Sequence, residues 1–148
     1  MAAARPENRG LGEALFDTID KTIREMPALQ NMKISLKYIA PGRAGFEMQV
    51  SPGFSNSRGT AHGGVIAAFA DTVMGYAGIS LDLMLVTLEM NLNYFAPAGL
   101  GEKLEAEGWV VHAGRTTVVA EAEIRDSGRR LVAKSRGTYF PVGRISEL

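Results

Sequence analysis

The residues best suited to chemistry lie between Asn56 and Asp71, and their types suit work on a carbonyl group. Gly63 and Gly64 open a stretch of helical periodicity, where the leading backbone N–H groups lack intrahelical partners and the helix dipole favours negative charge. Glycine lets a ligand oxygen approach those groups. Asp71 stands seven residues beyond Gly64 on the same helical face, about 10 Å away along the axis. Asn56 offers an amide that can donate to a carbonyl or orient a water, or simply cap a turn. His62 at the helix entrance is, by type alone, more often a capping or packing residue than a catalyst. Backbone donors that favour a negative oxygen and a carboxylate are thus both present. One chain alone spans the distance between them poorly.

The helix that must carry this constellation runs from about His62 to Ser80, and its two faces differ. Val65, Ile66, Phe69, Val73 and Tyr76 form a bulky apolar side. Gly64, Ala67, Ala68, Asp71, Gly75 and Gly78 form the other, so the carboxylate stands among side chains too small to cover it. Upstream, Leu11, Leu15, Phe16, Ile19, Ile23 and Met26 recur at helical spacing until Pro27 stops the pattern. Met32 to Ile39 and Gly45 to Val50 alternate around a Pro41-Gly42 turn and read as a hairpin, with Met32, Ile34, Leu36 and Tyr38 on one side. Ser51 to Thr60 is dense in turn formers. Val86–Phe95, Lys103–His112, Thr116–Ile124 and Leu131–Phe140 read as four further strands in meander-like succession, with Asp126-Ser127-Gly128 as the last hairpin turn. This order, without βαβ alternation, predicts an α+β protein: an antiparallel sheet wrapped on one long central helix, with an N-terminal helix.

Composition bounds the rest. The 148 residues fit one domain, 1–148, with 1–10 expected to be flexible. With 46% hydrophobic and 22% charged residues the chain is of ordinary globular balance. Lys plus Arg number 16 and Asp plus Glu number 16, so no overall field draws the protein to nucleic acid or to an anionic membrane. There is no cysteine, which excludes a disulfide framework and a thiol nucleophile. The two histidines, His62 and His112, make no metal site, and none is assigned. No signal peptide or membrane span is expected, and the location read from this is cytoplasmic.

Asn56, His62-Gly63-Gly64 and Asp71, followed by Val86 to Phe95, Pro97, Gly101 and Gly114-Arg115, resemble the hotdog-fold acyl-CoA thioesterases, nearest the phenylacetyl-CoA and medium-chain acyl-CoA branch. The resemblance covers Ser51 to Tyr139. It implies a curved sheet around the helix, a homodimer or homotetramer, and active sites at the subunit interface, where the Gly63 region of one chain meets Asp71 of its mate. It further implies hydrolysis of acyl-CoA to free acid and CoA, with Asp71 as base or nucleophile, the Gly63 N–H as oxyanion donor assisted by Asn56, and Thr87 helping to hold water. No cofactor is implied, CoA being part of the substrate. By the same resemblance the substrate lies along Gly64, Tyr94 and Phe95, and the coenzyme along Gly114, Arg115, Thr116, Thr117 and Val118, with Lys134 and Arg136 able to meet phosphates. Arg and Lys are equally the default residues of exposed strand faces. Met74, Tyr76, Met84 and Tyr94 are candidates for the acyl pocket. One departure is Gly75, where some subfamilies carry Ser or Thr one turn after the carboxylate. Alternatives are a hotdog-fold dehydratase or hydratase on acyl-CoA or acyl carrier protein, disfavoured because the helix itself holds no histidine, and a non-catalytic acyl-CoA-binding module.

Overall fold

The computed structural model describes residues 4–148. Its frame is a seven-stranded sheet and one long helix. In chain order the elements are β1 (Glu7–Asn8), α1 (Glu13–Glu25), α2 (Pro27–Met32), β2 (Ile34–Ala40), β3 (Arg43–Gln49), α3 (Gly63–Ile79), β4 (Met84–Tyr94), β5 (Lys103–Ala113), β6 (Val118–Arg125) and β7 (Leu131–Gly143). Single 3-10 turns cover Pro52–Phe54 and Ile145–Glu147.

The strands run β1-β2-β3-β5-β6-β7-β4, all antiparallel except for β1 beside β2. The last four strands are therefore not a simple meander: β3 pairs with β5, and β4 lies at the far edge against β7. Helix α3 explains the jump. Its 17 residues span about 25 Å, enough to cross a sheet whose strands lie about 4.8 Å apart, and it touches β3, β5, β6, β7 and β4. The chain leaves β3 on one side of the helix and resumes on the other.

Burial follows the two periods. Leu104 and Ala106 on β5, Val118, Ala120, Ala122 and Ile124 on β6, and Ala133, Ser135 and Tyr139 on β7 face inward. They meet Ile66, Phe69, Ala70, Val73 and Ala77 of α3, while Phe16, Ile19 and Ile23 of α1 close another side of the same core. At Gly108 the helix lies directly on the sheet: an added Cβ would fall 2.7 Å from the Val73 carbonyl oxygen. The outer face of the sheet is tiled with ion pairs, among them Lys37–Glu105, Lys103–Glu47, Arg43–Glu107, Arg125–Glu123 and Arg136–Glu121.

Several expectations need correction. Of the segment 1–10 expected to be flexible, residues 1–3 lie outside the described residues, whereas Glu7 and Asn8 pair with β2, the Arg9 guanidinium stacks on the Tyr38 ring, and Arg5 bonds Asp17. Pro27 ends α1 but also begins α2, since a residue lacking N–H suits the first helical position. Met32 belongs to α2, and a bulge between Leu36 and Tyr38 turns Tyr38 outward and Ile39 inward, so the expected single face breaks. Strand β6 opens at Val118, leaving Thr116 and Thr117 in the preceding turn. Gly78 is buried against Leu85 and Val118 rather than open.

Candidate active site

Helix α3 starts cleanly because His62 caps it. The His62 Nδ1 accepts from the Gly64 N–H at 2.9 Å, which puts the ring proton of the neutral imidazole on Nε2. The Gly64 N–H is thereby consumed. The Gly63 N–H meets no acceptor among the described residues and remains the free donor of the first turn. Its carbonyl accepts from the Tyr94 hydroxyl at 2.6 Å, so a side chain of β4 clamps the helix entrance.

The loop before the helix is held by Asn56. Its Oδ1 accepts from the N–H groups of Arg58 and Thr60, and its Nδ2 donates to Thr60 Oγ1 at 2.8 Å. The amide thus acts as the turn former allowed by its residue type, with its second Nδ2 hydrogen left over. The loop returns to the helix through His62 N–H donating to the Phe54 carbonyl. Next to Gly63 a cavity of about 300 Å³ is lined by Ile66, Tyr94, Phe95, Pro97 and Val132, an apolar setting beside a backbone donor.

Asp71 sits eight residues further along α3, about 12 Å from Gly63 by helical rise. It is only partly buried. Two hydroxyls converge on one of its oxygens: Thr87 Oγ1 on β4 and Tyr139 Oη on β7 each donate to Oδ1 at 3.0 Å. Thr87 and Tyr139 are partners across the β4–β7 ladder, which is why both reach the same oxygen. Oδ2 accepts from no described residue. Burial, then the charge of Asp71 and its hydrogen bond, then Glu89, hold the Tyr139 proton well above the ordinary tyrosine range.

Tyr139 escaped the sequence reading, although a signal existed. Along β7 the inward series Ala133, Ser135, Gly137 is all small and ends in Tyr139, and a buried tyrosine hydroxyl needs a partner. Its ring fills the space over Gly75, whose added Cβ would come 3.8 Å from Tyr139 Cε1. Gly75 offers Asp71 no hydroxyl, and the hydroxyl that reaches the carboxylate past it belongs to Tyr139 of the sheet.

Other candidates fall elsewhere. Met74 and Tyr76 belong to the core, Met74 against Ser135 and Tyr76 tilted on Phe46. Met84 packs near Gly143, away from Gly63. Gly114 to Thr117 form a tight turn closed by the Gly114 N–H donating to the Thr117 carbonyl, with Arg115 and Thr116 exposed. Lys134 and Arg136 lie on the outer face, already paired with Glu123 and Glu121. The structure thus brings Asp71 and Thr87 together, and separately His62, Gly63, Gly64, Tyr94 and Phe95. It does not join the two groups within one chain.

Comparisons with known proteins bear on the family and the fold. A family model described as the thioesterase superfamily matches residues 58–133. A putative esterase of Archaeoglobus fulgidus is 30% identical over 130 residues, covering 88% of this chain and 76% of its own length. Acyl-coenzyme A thioesterase 13 of Homo sapiens is 28% identical over 133 residues, covering 84% of this chain and 95% of that protein. Among solved structures, the PaaI protein of the E. coli phenylacetic acid degradation operon superposes with a TM-score of 0.85 at 25% identity, over 91% of this chain and 98% of that one.

Proposed function

Because the chain belongs to the thioesterase superfamily, we propose that it hydrolyses acyl-CoA thioesters to the free acid and CoA, with Asp71 as the reacting carboxylate. The observation that carries this reading is Asp71 itself, held at Oδ1 by two hydroxyls with Oδ2 open. In the general-base form, Oδ2 takes a proton from water as its oxygen bonds to the thioester carbon. The carbonyl oxygen gains the charge and accepts from the Gly63 N–H at the helix start. Collapse of the tetrahedral intermediate breaks the C–S bond, and CoA leaves as thiolate and takes up a proton. In the nucleophile form, Oδ2 bonds to the carbon directly, the C–S bond breaks to release CoA as thiolate, and water then hydrolyses the Asp71–acyl anhydride to the free acid and the restored carboxylate. Either route uses water and the chain's own groups, without a cofactor.

The donor and the carboxylate belong, in this reading, to different subunits. Strand β4 is an edge strand of 11 residues carrying exposed Val86, Leu88 and Tyr94, a combination that favours pairing with another copy. Two-fold pairing of β4 edges would set the Gly63 end of one α3 toward Asp71 of the other, giving a homodimer, and pairing of two such dimers into a tetramer is not required for the chemistry. His62, with Nδ1 committed to the cap, favours hydrolysis over a histidine-based dehydration. Among the described residues no helix is long and apolar enough to cross a membrane, and we place the reaction in the cytoplasm.

The test is free-thiol release from a panel of aromatic and straight-chain acyl-CoAs, with Asp71→Asn beside the native protein. The variant should fold and lose at least about a hundredfold in kcat. Native-like turnover by Asp71→Asn would remove Asp71 from the mechanism, and binding of acyl-CoA without thiol release by the native protein would leave a binding module.

A further inference from the structure

With Asp71 taken as the reacting carboxylate, we propose that Tyr139 is a positioning residue: with Thr87 it engages Oδ1 and so commits Oδ2 to the water or the thioester. The inference rests on that assignment of Asp71. A carboxylate has two equivalent oxygens, and a freely turning side chain offers either one to a substrate. Here two donors from adjacent strands meet on the same oxygen, each at 3.0 Å, and rotation of the carboxylate would break both bonds. Hydrogen bonds to a charged acceptor are the stronger kind, so the preference for this orientation is large.

The two donors differ in how firmly they are held. Thr87 is exposed on the edge strand, whereas Tyr139 is 2% exposed one strand further in. Its ring is fixed from both sides. Gly75 of α3 lies on one side, and at Gly137 an added Cβ would fall 3.0 Å from Tyr139 Cε2 and 3.2 Å from its hydroxyl. The hydroxyl also lies 3.2 Å from the Asp71 main-chain carbonyl, which keeps it over the residue it serves. Buried beside one carboxylate, with Glu89 contributing further negative charge, the phenol keeps its proton and acts only as a donor toward Asp71. Tyr139 touches no reacting atom. It acts through Asp71.

Tyr139→Phe removes the hydroxyl and keeps the ring. The expected result is a kcat lowered about 10- to 100-fold, with KM changed less than about threefold and a melting temperature lowered by about 3–12 °C in a variant still folded at assay temperature, as for a lost hydrogen bond to a charged group. An unchanged kcat in the folded variant overturns the inference. Asp71→Asn in the same assay separates the two assignments: if it is inactive while Tyr139→Phe is fully active, only the role of Tyr139 fails. If Asp71→Asn is fully active, the reading of Asp71 fails first. Should Tyr139→Phe not fold, proton NMR of native protein and Asp71→Asn decides. A slowly exchanging Tyr139 hydroxyl resonance, displaced downfield and moved by Asp71→Asn, supports the contact, and one indifferent to that change overturns it.

Discussion

Gly63 shows what a single backbone group contributes. With the Gly64 N–H tied to His62, the Gly63 N–H is the donor left for an oxyanion, and a proline there removes that donor while asking the Tyr94 hydroxyl, 3.2 Å from an added Cβ, to shift by a few tenths of an ångström. Proline is tolerated at the first helical position, and His62 before it has ψ 135, which proline permits. Gly63→Pro should therefore fold while losing about 10²- to 10³-fold in kcat. An equal mixture of refolded Gly63→Pro and Asp71→Asn chains should recover about one quarter of native activity in thiol release, because each mixed dimer holds one site with both groups intact. No recovery would place both groups in one subunit's site. The carboxylate and the glycines were legible in the sequence because a lone charge among small residues is an odd surface. Tyr139 was not, because its contact joins residues 68 positions apart, and strand periodicity says which way a side chain points without saying what it meets.

At the scale of elements, apolar periodicity located the helices and strands, and failed where one residue serves two purposes. Pro27 reads as a stop and is equally a start, and the bulge after Leu36 reverses a face without any glycine or proline to announce it. Close packing of α3 on β5 depends on Gly108, where an added Cβ would meet Val73 main chain at 2.7 and 3.0 Å and its Cγ1 at 2.9 Å. Backbone cannot swing aside as a side chain end can. Gly108→Ala should cost about 1–3 kcal/mol in urea unfolding, whereas Gly53→Ala, with nothing within 4 Å, should change stability by less than about 0.5 kcal/mol. Equal effects at the two positions would show that the helix is not seated on Gly108.

For the whole molecule, the α+β class and the helix-in-sheet arrangement followed from element order, but the strand order did not. Nothing local in β4 states that its partner is β7, since that choice is made by the helix crossing the sheet. The folded chain also sets a pH limit. Burial raises Tyr76 to about 12, burial and Glu107 raise Tyr38 to about 12, and Tyr139 is raised as well. Each keeps its proton when folded and ionises near 10 when unfolded, so their contribution is complete below about pH 10 and is lost as pH climbs toward 12. Melting temperature should fall steeply over that interval, and Tyr76→Phe should flatten the fall; a flat native profile would contradict the burial of these hydroxyls. The strand order has a consequence in time as well. A chain is made from its N-terminus, and Thr87 follows Asp71 by 16 residues while Tyr139 follows it by 68. Strand β4 has no partner strand in its own chain until β7 exists, so every shorter nascent chain carries Asp71 without the Tyr139 hydroxyl, and synthesis of the final strand completes the sheet and the pair of donors on the carboxylate together.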